Sequence, residues 1–327
     1  MGYLDLTLNP ERYHGVGKKP PFFEGWYFKL IDPTEKHRYA VIPGIFLNAD
    51  PRKTHAFIQV LDGLQGRSHY YQFPAEAFQA ASDRFALHIG ENFFSLEALR
   101  LRLHGGAISL EGELHFEGGS GWPVTLASPG IMGWFGWLPF MECNHGVCSF
   151  DHLIRGQLRI DGHPVVFEGG RGYIEKDWGK SFPSAWIWLQ SNHFDQPRTC
   201  LTASIATVPF IRRTFGGFII GFWQEGRLYR FASYTGAKLE ALAVTDDRVT
   251  WIVRDKRYRL EMIARRAEGG LLHEPTRTEM HKRVEETLRA SVEVCLMPLK
   301  GDRPIFSGIG RNAGLEVQGD LRKLLVQ

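Results

Sequence analysis

Apolar residues recur at every second position along most of this chain, and that period leaves few folds open. In ISLEGELHF, Ile108, Leu110, Leu114 and Phe116 share one face while Ser109, Glu111, Glu113 and His115 share the other. That is the pattern of an antiparallel strand with one side in a core and one in water. The same period returns in RVTWIV (Val249, Trp251, Val253), RYRLEM (Tyr258, Leu260, Met262) and LRASVEVCL (Leu288, Ala290, Val292, Val294, Leu296). Two-residue turns punctuate it. Asp161-Gly162 separates QLRI from PVVFE, and Glu225-Gly226 separates GFIIGFW from RLYRF, as tight hairpins require. Helical signals are confined to the C-terminal DLRKLLVQ and to PAEAFQAA. The chain reads as all-β with few short helices, and 36 glycines among short strands suit barrels or sandwiches. Its 327 residues exceed one ordinary core, so two domains are expected, 1–160 and 161–327.

Charge and cysteine usage narrow the partners. With 39 Lys+Arg against 36 Asp+Glu the net charge is only +3, which gives no concentrated basic face for nucleic acid. Cys143, Cys148, Cys200 and Cys295 form no CxxC pair and are too sparse for a disulfide framework, which points to a reducing, cytoplasmic setting. The opening MGYLDLTLNPERYHG has neither the basic region nor the apolar stretch of a secretory signal, and Leu6 stands where a myristoylation pattern needs Ser or Thr. The longest apolar run, IMGWFGWLPFM at 131–141, is well short of the roughly 18–20 residues that span a bilayer. It can still touch a membrane surface peripherally.

The chemistry concentrates in GYIEKDWGKSFPSAWIWLQSNHF at 172–194. Glu175, Lys176 and Asp177 fall between two strand-like runs and beside Trp178, Gly179 and Phe182. They read as a loop on a rigid β scaffold, where sites tend to be built, or as a solvated turn with a salt bridge. The GKS at 179–181 is no phosphate loop, because Gly172 stands too far before it. In AWIWLQSNHF, Trp186, Trp188, Gln190, Asn192 and Phe194 point one way and Ile187, Leu189, Ser191 and His193 the other, so the strand is expected to be buried on both sides. Gln190 and Asn192 then either bond neighbouring backbone or line a ligand cavity. In FEGWYFKL, Glu24 shares a face with Trp26, Phe28 and Leu30, where a carboxylate is either paired or raised in pKa. Cys143, His145, Cys148 and His152 match no common zinc spacing, and no metal is expected.

PFFEGWYFKL, LPFMECNHGVCSF, GYIEKDWGKSFPSAWIWLQSNHF and GLEVQGDLR, in that order, resemble the tocopherol cyclase family. The pattern E-K-x-W-G-x-x-F-P-x-x-W-x-W-x-Q-x-N is long enough to be specific, and the pieces span nearly the whole chain. The tyrosine, acid and tryptophan of GYIEKDWG also look like those of carotenoid hydratases. The resemblance implies a pair of lipocalin-like antiparallel barrels, a lipophilic small-molecule substrate and no cofactor. In the family it implies closure of a chromanol ring on a prenylated hydroquinone. The positions that match are Glu24, Trp26, Tyr27, His145, Glu175, Lys176, Trp178, Trp188, Gln190 and Asn192. Asp177 departs from the family pattern, which has Asn there, and a carboxylate in place of an amide changes the supply of protons.

Ring closure of that kind begins by protonating a carbon–carbon double bond, a poor base that needs a well-aimed acid. A carboxyl kept protonated by an apolar wall would serve, and Asp177 and Glu175 are the candidates. Lys176 would tune them or anchor a polar head, and Tyr27 would orient a phenol or water. Glu24, Trp26, His145, Trp178, Trp186, Trp188, Gln190 and Asn192 would line the substrate, the tryptophans steadying a cation at about 0.5–2 kcal/mol each. Two alternatives stand beside this: a barrel that carries an apolar ligand unchanged, and an alkene hydratase.

Overall fold

The computed structural model describes residues 2–210 and 213–325. Strands dominate it, with one five-residue α-helix, Tyr3–Thr7, and a few 3-10 turns among the described residues. The chain forms two compact units, Met1–Phe182 with Gly270–Val284, and Pro183–Gly269 with Glu285–Gln327. The division falls after 160 because the strand Gly170–Gly179 hydrogen-bonds to both Phe22–Ile31 and Cys143–Ile160 of the first unit.

In the first unit the sheet runs from Arg67–Phe73 through His55–Asp62, Arg38–Leu47, Phe22–Ile31, Gly170–Gly179, Cys143–Ile160 and Leu110–Glu117 to a set of short strands ending at Phe78–Ala80. Its pairings are antiparallel. Trp26, Val41, Val60, Leu87, Phe94, Leu99, Leu114, Ile154 and Ile174 come from strands along the whole path, yet they form one core. A sheet whose single face meets itself in this way is curled into a barrel. The second unit repeats the solution: Ile187, Ala203, Ile220, Phe231, Trp251, Met262, Val294 and Leu315 share another core.

The alternation read from the sequence holds in detail. Ile108, Leu110, Leu114 and Phe116 are buried, as are Val249, Trp251 and Val253. Both expected hairpins carry positive φ at their two turn residues, 48° and 84° at Asp161-Gly162 and 48° and 87° at Glu225-Gly226, the mirror-image turn that matches strand twist. The expected helices do not form. PAEAFQAA gives a 3-10 turn, Ala75–Ala77, and a short strand, Phe78–Ala80, because Phe78 packs against the rings of Tyr13 and Trp26. The C-terminal segment is a 3-10 turn, Leu321–Leu325; Val326 and Gln327, the end of that expected helix, lie outside the described residues.

The largest difference concerns the charged stretch. Gly170–Gly179 is a central strand rather than a loop. Polar side chains stand on both of its faces, so no apolar period marked it. The apolar run at 131–141 buries Ile131 and Met132 around a 3-10 turn, Gly133–Trp137, and leaves Trp134 and Phe140 exposed at 45% and 55%. Among the described residues no helix is long and apolar enough to cross a membrane.

Candidate functional site

Register decides which side chains of the central strand can act together. Residues opposite one another on neighbouring strands share a face. Lys176 stands opposite Trp26 and Gly146, and Trp178 opposite Glu24 and Asn144. These belong to the core side of the barrel, with Trp26 and Ile174. Glu175 stands opposite Tyr27 and Val147, Asp177 opposite Gly25 and His145, and Tyr173 opposite Lys29. The residues expected to act as one set are divided between two faces.

On the core side an ion pair is sealed from water. Lys176 Nζ lies 2.6 Å from Glu24 Oε1, and both side chains are fully buried. The chain before the first strand folds over the pair. Lys176 Nζ donates to the carbonyls of Pro10 and Arg12 and meets His14 Nδ1 at 2.8 Å. The His14 backbone N–H donates to both Glu24 carboxylate oxygens at 2.9 Å, and Trp26 Nε1 donates to the Glu11 carbonyl. Trp26 and Trp178 flank the ammonium at 4.8 and 4.7 Å, and His14 stacks on Trp178. Burial would raise the Glu24 pKa, but Lys176 and His14 together hold it below the usual carboxylate range. Burial lowers that of Lys176 against the pull of Glu24. The cation that these two tryptophans steady is the protein's own lysine.

The opposite face holds a different network. Asp177 Oδ1 lies 2.8 Å from His145 Nδ1, and Glu175 Oε2 lies 3.6 Å from His145 Nε2. Tyr173 donates its hydroxyl to Glu175 Oε2 at 2.5 Å. Glu175 is nearly buried at 5% side-chain exposure, whereas Asp177 is 30% exposed. His145 Nε2 is buried without a hydrogen-bond partner. Burial would lower the His145 pKa, but the Asp177 and Glu175 carboxylates outweigh it and lift the imidazole to about 9. The ring is therefore charged at neutral pH. This is a hydrogen-bonded acid network, where the sequence suggested that Asp177 or Glu175 is kept protonated by an apolar wall. Its apolar boundary is aromatic: Phe23, Phe46 and Phe57 cluster with Ile42, Tyr70, Cys143 and Phe182.

In the sequence Tyr173 stands out only within the GYIEKDWG resemblance and has no assigned role, although as a strand Tyr173, Glu175 and Asp177 are residues i, i+2 and i+4 on one face. His14 carried no signal, because its partners are 10 and 162 positions away. The donor atoms of His145, Glu175 and Asp177 lie within 4.8 Å of one another, a spacing that a metal ion can use. The two ring nitrogens of His145 are turned to different carboxylates, which suits a travelling proton better than one ion.

In the second unit, Ala185–Ser191 is buried on both sides as expected. Ile187 and Leu189 enter its core, and Trp186, Trp188 and Gln190 occupy the other face. Phe194 joins the core residues, because the strand ends at Ser191 and the parity changes. Trp186 Nε1 donates to Glu316 Oε2 at 2.6 Å. Gln190 Nε2 reaches Cys200 Sγ at 3.6 Å, and Asn192 Oδ1 meets His193 Nδ1 at 3.1 Å.

A family model described as tocopherol cyclase-like matches residues 110–319. The chain is 26% identical over 279 residues to the chloroplastic tocopherol cyclase of Zea mays, across 68% of this chain and 58% of that protein. It is 27% identical over 275 residues to the probable tocopherol cyclase, chloroplastic, of Oryza sativa subsp. japonica, with the same shares, 68% and 58%. The chain thus spans less than two thirds of the length of these curated relatives. Among solved structures, CghA with Sch210972 superposes with a TM-score of 0.58 at 11% identity, over 92% of this chain and 89% of that one, a likeness of fold.

Proposed function

The chain belongs to the tocopherol cyclase-like family, and from that premise we propose that it closes a ring on a prenylated hydroquinone or a similar lipophilic alkene by proton-initiated addition. The observation that carries this reading is the pairing, on one face, of a nearly buried Glu175 with a half-exposed Asp177 through the two nitrogens of His145.

Each residue then has a task. Glu175, once it has taken the His145 Nε2 proton in a minor state of the network, gives that proton to an alkene carbon, leaving a tertiary cation and a carboxylate. The hydroquinone oxygen captures the cation, a C–O bond forms, and the phenolic proton passes to Asp177 and on to solvent. Substrate and product have the same mass, and no electron is gained or lost. Glu175 is recharged from His145 Nε2, just beyond hydrogen-bond length in the resting state, and His145 is resupplied through Asp177, which reaches solvent. Tyr173 holds the Glu175 oxygen in place, and Tyr27, opposite Glu175, orients the phenol. Lys176, Glu24, Trp26 and Trp178 brace the strand from its other face.

Substrates of this class partition into lipid. The exposed Trp134 and Phe140, with Tyr3 and Leu4 on the N-terminal helix, support peripheral contact with a bilayer surface. Tyr3 is tied to this loop through its hydroxyl on the Trp137 carbonyl.

The test is anaerobic incubation with a panel of phytyl and polyprenyl hydroquinones, followed by chiral chromatography with mass detection. A single enantiomer of unchanged mass is expected. A gain of one water would make the protein a hydratase, and unreacted ligand that co-purifies would make it a carrier. Glu175→Gln is expected to lower turnover by about 10²–10⁴-fold; full turnover in that variant would remove Glu175 from the mechanism.

A further inference from the structure

The row of the sheet that contains Asp177 lacks two side chains. His145, Asp177, Gly25 and Gly44 stand opposite one another on four adjacent strands, followed by Phe57, so all five positions belong to the site face. The two glycines are not equivalent. At Gly44 a Cβ would lie 2.4 Å from Phe57 Cζ and 2.5 Å from the Glu24 carbonyl oxygen. The protein fills that place itself, with the ring of Phe57. At Gly25 a Cβ would meet the Pro43 carbonyl oxygen at 3.5 Å, Phe57 Cζ at 3.7 Å and Ile42 Cγ2 at 3.8 Å, all ordinary contacts. The backbone there would accept a Cβ, and the sequence supplies none.

Exposure singles out the same spot. Gly25 is the one position of the strand Phe22–Ile31 that is not buried. Beside it in the row are Asp177 and His145, at 30% and 15% side-chain exposure. Phe23 and Tyr27, two residues to either side on the same face, are buried at 3% and 9%. Gly25 is thus the least covered position of its strand, beside the acid network and between two buried aromatic side chains.

Resting on the function proposed above, we propose that Gly25 is the specificity-determining residue of this site. The space over its α-carbon receives the flat ring of a hydroquinone, with the ring oxygen toward Asp177 and His145. Phe23 and Tyr27 bound the ring on its two sides. A methyl group at position 25 would enter the place of the ligand at ordinary contact distances from the protein.

The experiment is a Gly25→Ala, Gly25→Val and Gly25→Leu series titrated calorimetrically with 2-geranylhydroquinone, alongside the His145 Cε1 resonance and circular-dichroism melts. Gly25→Ala should melt close to the wild type, which separates occupancy of that space from misfolding. Binding should weaken about tenfold or more at the first step and vanish at Leu, and the ligand-induced shift of His145 should vanish with it. If the wild type binds without turning the ligand over while the series still loses binding, the cyclase reading fails and Gly25 keeps its role. If Gly25→Leu binds within about twofold of the wild type, where a single methylene should cost tenfold, and His145 still shifts, the proposal is overturned. A wild type that neither binds nor shifts overturns it as well.

Discussion

Lys176 and Asp177 are neighbours in the chain and look out of opposite sides of one sheet: Lys176 Nζ lies 2.6 Å from Glu24 Oε1, and Asp177 Oδ1 lies 2.8 Å from His145 Nδ1. One strand therefore carries two charge networks with separate duties, and substitutions at adjacent positions should fail in different ways.

Asp177→Asn should act on the proton supply. It removes the charge that is the main support of the raised His145 pKa, leaving burial opposed by Glu175 alone. The imidazole, at about 9 in the native protein, should fall by about 1–2 units, and turnover should follow the loss of imidazolium at pH 8. A titration of the His145 ring protons by NMR measures the shift directly. An unchanged pKa would show that Asp177 does not govern this histidine.

Lys176→Met should act on stability. Removing one partner of a buried pair strands the other charge, at about 3–5 kcal/mol, and Glu24 has no route to water. The double variant Glu24→Gln, Lys176→Met should recover much of that loss, since apolar and neutral replacements of a buried pair are often tolerated. Urea unfolding of the two variants provides the comparison; equal losses in both would mean that the pair is not the source of the cost.

Stability should be greatest near pH 6.5 as far as two histidines control it. His145 is raised from 6.5 to about 9, so its contribution is complete below 6.5 and is lost as pH climbs through 9. His152, buried beside Ser149 and the ring of Phe116, is pushed down to about 3 by burial. The unfolded chain therefore takes up a proton that the folded one refuses, and stability declines as pH falls from 6.5 toward 3. Each slope is at most a few kcal/mol, by about 1.4 kcal/mol per unit. His145→Gln should flatten the alkaline side and His152→Gln the acid side of a melting-temperature profile.

Trp134→Asp should reduce sedimentation with phosphatidylcholine vesicles severalfold and leave the fold intact, because Trp134 is the exposed residue of the 133–137 turn. A membrane surface rewards the burial of such a ring by roughly 1.5–3 kcal/mol. Sedimentation equal to that of the native protein would dismiss this loop as a lipid contact.

Much of the fold could be read in one dimension. Strands that bury one side, such as Leu110–Glu117 and Arg248–Arg254, announce themselves by parity, and Asp-Gly and Glu-Gly mark their turns. The site strand was harder for the same physical reason. Tyr173, Glu175 and Asp177 serve one face, while Ile174, Lys176 and Trp178 serve the other, so no apolar alternation survives and the segment resembles a loop. Glu24 and Lys176 were noticed as odd, but what they satisfy is the backbone of Pro10, Arg12 and His14, a long-range partnership without a local pattern. His145 was recognised as a contact; its position between two carboxylates follows from the pairing of Cys143–Ile160 with Gly170–Gly179, which only the folded sheet supplies.

The first unit takes back Gly270–Val284 after the chain has already built most of the second. Gln59 is bonded on both sides by the His273 backbone, Ser68 reaches the Leu271 carbonyl, and Phe182 donates to that of Pro275. On a ribosome, the earlier barrel must wait with that surface bare until the larger part of the later one is made. A gene cut after codon 182 would strip the first barrel of Gly270–Val284, so the two barrels are inherited together.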